Sequence, residues 1–315
     1  MVTSVSTANS YSSVLSELLS AQNSEITAQQ QVSTGKLGND LQAFGAQTGN
    51  LVATNTVKAR VDQLVSQLNA QQVQLNFQQT GLTSLSTVAG DVQSTLTNAL
   101  ANGSGDGIMT ELQSYFSQAA EALNSQYGGQ YLFAGGQTQT QPFTATSLAD
   151  LTTQPSVNSF FQNGGLTPVT RIDDSTTIQS GFLASGIGSS LMSAFQSIQT
   201  FQQSANGNFG GALTPAQQTF LQGMITQMST VTDAATQTAA QGGEIQSQVD
   251  TATTTQTNRQ TTLTNMLGDI TDVNMAQAAS NLSQAQSAVQ ASAQVFLTLK
   301  GMSLLNYLAA PTPAG

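Results

Sequence analysis

A chain of 315 residues is long enough for two or three small domains or one very extended one. Only 7% of its residues are charged, and 6 basic against 16 acidic side chains leave a net charge of −10, too few scattered cations to displace counterions from nucleic acid or to bind an anionic membrane. The complete lack of Cys and His removes thiol nucleophiles, disulfides, the usual zinc sites and the commonest general base, so neither an enzyme nor a cofactor is expected.

The opening stretch, "MVTSVSTANSYSSVLSELLSAQ", lacks the basic start and apolar run of a secretory signal peptide. No segment reaches the roughly 18 apolar residues of a membrane span. The expectation is a cytosolic protein, or one exported by a route that removes nothing.

From about Ala8 to Val32 the pattern predicts a helix, with Tyr11, Leu15, Leu18, Leu19 and Ile26 on one side. "STGKLGND" then signals a loop. The strongest pattern follows. Val61, Leu68, Leu75, Leu82, Ala89 and Leu96 are spaced by seven, and Leu64, Leu85, Val92 and Ala99 stand three residues on, with Gln71 and Gln78 interrupting. This is a coiled-coil repeat, in a helix expected from about Leu51 to Ala101 and on the order of 75 Å long. "NGSGDG" breaks it, and Met109, Leu112, Phe116, Ala120 and Leu123 mark a shorter helix folding back.

"YGGQYLFAGGQTQTQPF" ends that helix with two Gly and offers a β-like run, Tyr131 to Phe133. To about Gly188 the chain is rich in Gly, Pro, Thr and Asn, and "TPVTRIDDSTTIQ" alternates enough for one or two strands. Helix returns near Ser189. Thr214 is a predicted N-cap with Pro215 at the first helical position, and Phe220, Leu221, Met224, Ile225, Met228 and Val231 carry the next apolar face. Gly242, Gly243 and "DTATTTQTNRQTTL" weaken the pattern before Leu263, Leu267 and Ile270 restore it. In the last stretch Met275, Leu282, Val289 and Phe296 are again seven apart, with Ala278, Ala285, Ser292 and Leu299 three residues on. Beyond Phe296, large apolar residues (Leu297, Leu299, Met302, Leu304, Leu305, Tyr307 and Leu308) surround the helix. A helix apolar all round must be buried all round.

Candidate chemistry is sparse. Asp173-Asp174 reads as a turn between strands rather than an acidic pair. "GFLASGIG" has no Lys-Ser/Thr partner for phosphate, and Met224, Met228, Met266 and Met275 sit at apolar helical positions suited to packing. The seam Val61, Leu64, Leu68, Leu75, Leu82, Leu85, Val92 and Leu96 is expected to form an intramolecular core, because the second half of the chain supplies a partner helix. The C-terminal seam is expected to pack among copies.

Several stretches together resemble the bacterial flagellin family, most closely its hook–filament junction members. They are "AQQQVSTGK" (28–36), "GGQYLFAGGQTQTQPF" (128–143), "RIDDSTT", and "LGDITDVNMAQAASNLSQAQSAVQASAQVFLTLKGMSLLNYL" with its "SLLNYL" ending. After Lys36 the chain departs from the family's basic and Asp-Asp-Pro pattern and reads "LGNDLQAFGAQ". The resemblance implies a mainly α fold, an elongated helical bundle or coiled coil formed by the two halves with a small β-containing outer module in the middle. It implies a terminal assembly domain (1–48 plus 265–315) that is disordered in the monomer, a helical bundle (49–135 plus 189–264) and an outer module (136–188). Assembly would run through Leu15, Leu18, Ile26, Met275, Leu282, Val289, Phe296, Leu299, Leu304, Leu305, Tyr307 and Leu308. The implied partners are further copies of the chain, the first hook-associated protein below, flagellin above and a flagellar export chaperone, with no nucleic acid or membrane. The implied place is the extracellular flagellum, reached by the flagellar type III route without a cleaved signal peptide. Filament flagellin itself, or a secreted coiled-coil binding module, are the alternatives.

Overall fold

The computed structural model describes residues 2–308, with side chains from 11 to 301. In chain order it has α1 (Val2–Thr34), α2 (Thr48–Asn102), α3 (Ile108–Leu123), β1 (Gln126–Tyr127), β2 (Gln130–Tyr131), β3 (Val169–Arg171), β4 (Thr177–Gln179), α4 (Ala184–Gln202), α5 (Pro215–Thr271) and α6 (Met275–Leu308). Short 3-10 helices stand at Leu41–Gln47, Ala149–Thr153 and Val157–Phe160. The class is mainly α with two small antiparallel sheets, β1–β2 and β3–β4. The chain divides into two compact units, Val61–Asn258 and the two chain ends up to Arg60 and from Arg259.

The Val61–Asn258 unit owns the large core. Every one of the eight seam positions from Val61 to Leu96 is buried. Their period of seven keeps them on one stripe of α2, and burying one Leu contributes about 1.5–3 kcal/mol. Leu82, Leu85, Val92 and Leu96 join α3, α4 and the start of α5 through Leu112, Phe116, Phe195, Ile198, Leu221 and Met228. Phe116 is the aromatic hub, edge-on to Phe143 at 6.1 Å and to Phe195 at 5.8 Å. A second cluster joins Leu64, Leu68 and Leu75 to Val249, covered by Ile172 and Ile178 of the β3–β4 hairpin. Gln78, which interrupts the apolar seam, is itself buried and donates to the Leu132 carbonyl at 3.2 Å. It thereby ties the chain after β2 to α2.

The strand expected at Tyr131–Phe133 is displaced. Gly128 and Gly129, with φ of 58° and 77°, form the two-residue turn of a hairpin that pairs Gln126 with Tyr131 and Tyr127 with Gln130. Leu132 and Phe133 follow the strand and are both buried, which the alternation of a half-buried strand does not allow. The "TPVTRIDDSTTIQ" run does form a hairpin, with Thr170 opposite Ile178, and Asp173-Asp174 occupies its turn. Arg171 closes that turn by donating to the carbonyls of Asp173 and Asp174.

Helix α5 starts at a capping box: the Gln217 N–H donates to Thr214 Oγ1 at 3.3 Å and the Thr214 N–H to Gln217 Oε1 at 2.8 Å. It then runs unbroken through Gly242-Gly243, where a weakened pattern was expected. At Gly242 a Cβ would stand 2.4 Å from Gln79 Oε1 and 2.8 Å from Leu82 Cδ1. The glycine there serves close packing against α2, not helix termination.

The turn between α4 and α5 is as tightly constrained. Phe201 stacks on Phe220 with centroids 3.8 Å apart, and Phe209 packs beside both. A Cβ on Gly207 would fall 1.5 Å from the Phe201 carbonyl oxygen, a backbone atom that cannot swing aside. Gly207→Ala therefore forces the turn open and loosens the aromatic cluster. The expected loss is about 1–3 kcal/mol, read as a lower urea midpoint. An unchanged midpoint would mean the turn relaxes freely.

Candidate functional site: the terminal helix pair

The second unit is built from the chain ends. α1 and α6 pack along their lengths and run antiparallel. Tyr11 near the start of α1 meets Phe296 late in α6, ring centroids 5.0 Å apart, while Lys36 after α1 meets Asp272 before α6.

On α1 the residues Val14, Leu18, Ala21, Glu25, Ala28 and Val32, spaced alternately by four and three, form a less exposed row, with Gln31 half-buried beside it. On α6 the row is Ala278, Leu282, Ala285, Val289, Ser292, Phe296 and Leu299, spaced the same way, with Ala293 half-buried beside it. These are coiled-coil seams. Only Ala28, Ala278 and Ala285 are fully buried among them. Small side chains at these places let the helix backbones approach, and they hide little apolar area. Beside the seam runs an open groove of about 880 Å³, lined by Leu19, Asn23, Thr27 and Gln31 of α1 and by Asn281 and Gln284 of α6 among others.

The structure places the sequence-predicted assembly residues in three groups. Leu18, Leu282, Val289, Phe296 and Leu299 lie along the α1–α6 seam, half-buried. Leu15, Ile26 and Met275 are exposed, at 39%, 54% and 48%. The side chains of Leu304, Leu305, Tyr307 and Leu308 lie outside the described residues. The single apolar face expected for α1 thus divides into an inner seam, with Tyr11 against Phe296 at its far end, and an outer stripe, Leu15, Leu19 and Ile26. On α6, Val295 and Leu297 are exposed in the same way. Periodicity missed the inner positions Ala21, Glu25 and Ala28, because neither alanine nor glutamate registers as an apolar anchor. The 4-3 spacing continued from Val14 and Leu18 is the signal that finds them.

A clasp joins the two chain segments at the open end of the pair. Lys36 and Asp272 form an isolated antiparallel bridge, with the Leu37 N–H donating to the Thr271 carbonyl at 2.8 Å and the Val273 N–H to the Gly35 carbonyl at 2.9 Å. Lys36 Nζ donates to Asp272 Oδ1 and, at 3.1 Å, to Thr271 Oγ1, and the Thr271 hydroxyl also donates to Asp272. Asn274 then caps α6, its side-chain oxygen accepting from the Ala276 and Gln277 N–H groups.

The hydrogen bonds from Lys36 and Thr271 hold the Asp272 carboxyl below the usual carboxylate range. A depressed folded-state pKa contributes stability above the unfolded-state value, and that contribution is lost as pH falls through the folded-state value. The Lys36–Asp272 ion pair is therefore present at neutral pH and is lost as the carboxylate protonates in acid, whereas the two backbone hydrogen bonds of the clasp do not titrate. Lys36→Ala should move the Asp272 titration back up toward the ordinary value, as followed by carboxyl chemical shifts. An unmoved titration would show that Lys36 does not hold the carboxylate. The pair is exposed, so its effect on global stability is small.

Residues 225–308, from within α5 through α6, match the family model described as the bacterial flagellin C-terminal helical region. No curated protein sequence matches the chain. Among solved structures the chain is similar to a putative flagellar hook-associated protein from Vibrio parahaemolyticus, with 16% identity and a TM-score of 0.58 over 71% of this chain and 97% of that one. It is also similar to Bacillus cereus FlgL, with 14% identity and a TM-score of 0.55 over 68% of this chain and 98% of that one. The chain therefore carries a bacterial flagellin C-terminal helical region at residues 225–308 and has the fold of flagellar hook-associated proteins.

Proposed function

We propose that the chain is a structural subunit of the bacterial flagellum, an adaptor between hook and filament that assembles through its terminal helices. The observation that carries this is the α1–α6 pair, which lies partly within the flagellin-type region. It fully buries only alanines along its seam and leaves Leu15, Leu19, Ile26, Val295 and Leu297 in solvent. Two helices with so much outward apolar surface call for further helices around them. Neighbouring copies supply those helices, which also answers for Met275, Leu304, Leu305, Tyr307 and Leu308 as assembly residues. The role needs no catalytic group.

In this reading the chain ends form the assembly domain. Copies pack laterally, with the first hook-associated protein below and flagellin above. The subunit leaves the cell by the flagellar type III route, escorted by an export chaperone. Among the described residues, no helix is long and apolar enough to cross a membrane.

Filament flagellin is the second reading, favoured by the family model that matches α6. Seeding separates the two. A filament subunit presents complementary ends, so its addition never closes. Purified chain added to sheared filaments should not extend them. Added to hook ends that carry their first junction protein, it should form a thin layer that then accepts flagellin. Long homopolymers grown from this chain alone would replace the adaptor with flagellin.

A further inference from the structure

The seam between α1 and α6 does not specify its own register. Both rows repeat every seven residues and carry mostly small or medium apolar side chains, so a slide of one heptad again brings row against row. The side chains it buries fully are three alanines, which hide little apolar area. Something else must choose one alignment among several of similar energy.

The clasp supplies what the seam lacks. It holds Lys36 opposite Asp272, flanked by the hydrogen bonds from the Leu37 N–H to the Thr271 carbonyl and from the Val273 N–H to the Gly35 carbonyl. Local structure shapes both sides of it. Gly35, at φ 69°, ends α1, and its N–H closes on the Gln31 carbonyl at 2.9 Å. Gln31 Nε2 reaches on to the Leu37 carbonyl, also at 2.9 Å. On the other side the Asp272 N–H closes α5 on the Gly268 carbonyl at 2.7 Å, and Asn274 caps α6. The two helices keep step from there. Tyr11 lies 25 residues before Lys36, Phe296 lies 24 after Asp272, and their rings meet at 5.0 Å.

We propose that the clasp is the register lock of the terminal pair: α1 and α6 pair from it outward, and their far turns open first. Fixing one point on each helix makes their pairing an intramolecular event with a single alignment. This goes beyond the adaptor reading and belongs to the free chain, whatever that chain joins.

Amide exchange on the dilute, monomeric full chain tests it. Within each helix the amides nearest the clasp should exchange slowest. Chain ends fray in any case, so the variants decide. Val273→Pro removes one clasp donor and suits the extended backbone of the bridge. Combined with Lys36→Ala, it should speed exchange at least about tenfold in both helices, near turns included. Tyr11→Ser with Phe296→Ser should speed it only in the far turns. Rescue separates a lost lock from a damaged fold. No backbone hydrogen bond joins Lys36 to Asp272 directly, and the Cα atoms of such a pair stand about 4.5 Å apart, within disulfide reach. The chain has no native cysteine. Lys36→Cys with Asp272→Cys on the Val273→Pro background, oxidised by exchange with oxidised glutathione, should therefore restore slow exchange beside the clasp. Dithiothreitol should abolish it again. The Val61–Asn258 core should exchange alike throughout. Unchanged exchange in the Val273→Pro, Lys36→Ala chain would overturn the proposal, as would far-end variants that free both helices down to the clasp. So would a disulfide that restores nothing, or near-clasp amides that exchange at unfolded rates in the unaltered chain. The adaptor reading stands or falls on seeding, which none of these outcomes touches.

Discussion

Leu82→Ala and Leu75→Ala should each lower the stability of the Val61–Asn258 unit by about 2–5 kcal/mol. Both side chains are 2% exposed, but they sit in different clusters. Leu82 belongs to the large core with Phe116 and Phe195, and Leu75 to the smaller one with Val249 under the β3–β4 hairpin. Truncation removes the transfer free energy of the lost methyl groups and leaves a cavity whose lining forfeits its contacts. Thr97→Ala is the control. Thr97 is exposed on the same helix and its hydroxyl donates only to the Gln93 carbonyl one turn back. Its expected cost is within about 0.5 kcal/mol. Urea unfolding of the three variants reads all of this. Equal costs at Leu82 and Thr97 would place the seam on a different face of α2.

Deleting residues 304–308 should abolish layer formation on hook ends while leaving the melting midpoint of the Val61–Asn258 unit within error of the full chain. Four of the five deleted residues, Leu304, Leu305, Tyr307 and Leu308, are large and apolar. Each removed Leu forfeits about 1.5–3 kcal/mol of burial in whatever packing it joins. If that packing is between copies, the monomer loses nothing and the assembly loses several such contributions at once. Cells carrying the shortened chain should be non-motile yet contain soluble, folded protein. A clear drop in the midpoint would show that the tail packs on its own chain and would remove it from the assembly surface.

These two experiments probe helices of different kinds. α2 buries Leu and Val along its stripe, so its seam is a folding core. α1 and α6 bury alanines, so their seam brings two backbones close and leaves larger side chains outside. The same period of seven in the sequence thus stands for two different energetic roles, and side-chain size at the buried positions tells them apart.

The long helices, the α2 seam, the Thr214 cap and the turn at Asp173-Asp174 are legible in the residues alone. Each is a local matter: a repeat of seven on one stripe, a hydroxyl before a proline, or two carboxylates between alternating runs. The stretch around Gly128-Gly129 held a readable hairpin turn as well, but the neighbouring Tyr131–Phe133 run drew the strand too far along. Which face each pattern meets depends on packing between elements. Periodicity treats one helix at a time, and an outer apolar stripe adds to it as strongly as an inner one. The division of α1 into Leu18 inside and Leu15 and Ile26 outside therefore needed α6 in place. The same holds for Phe77 and Tyr127, fifty residues apart in the chain, which form a surface pair only because β1 folds back on α2. The total of −10 was countable from composition. Its confinement to one unit became visible only when the two chain ends, with their five residues of each sign, came together as a neutral body.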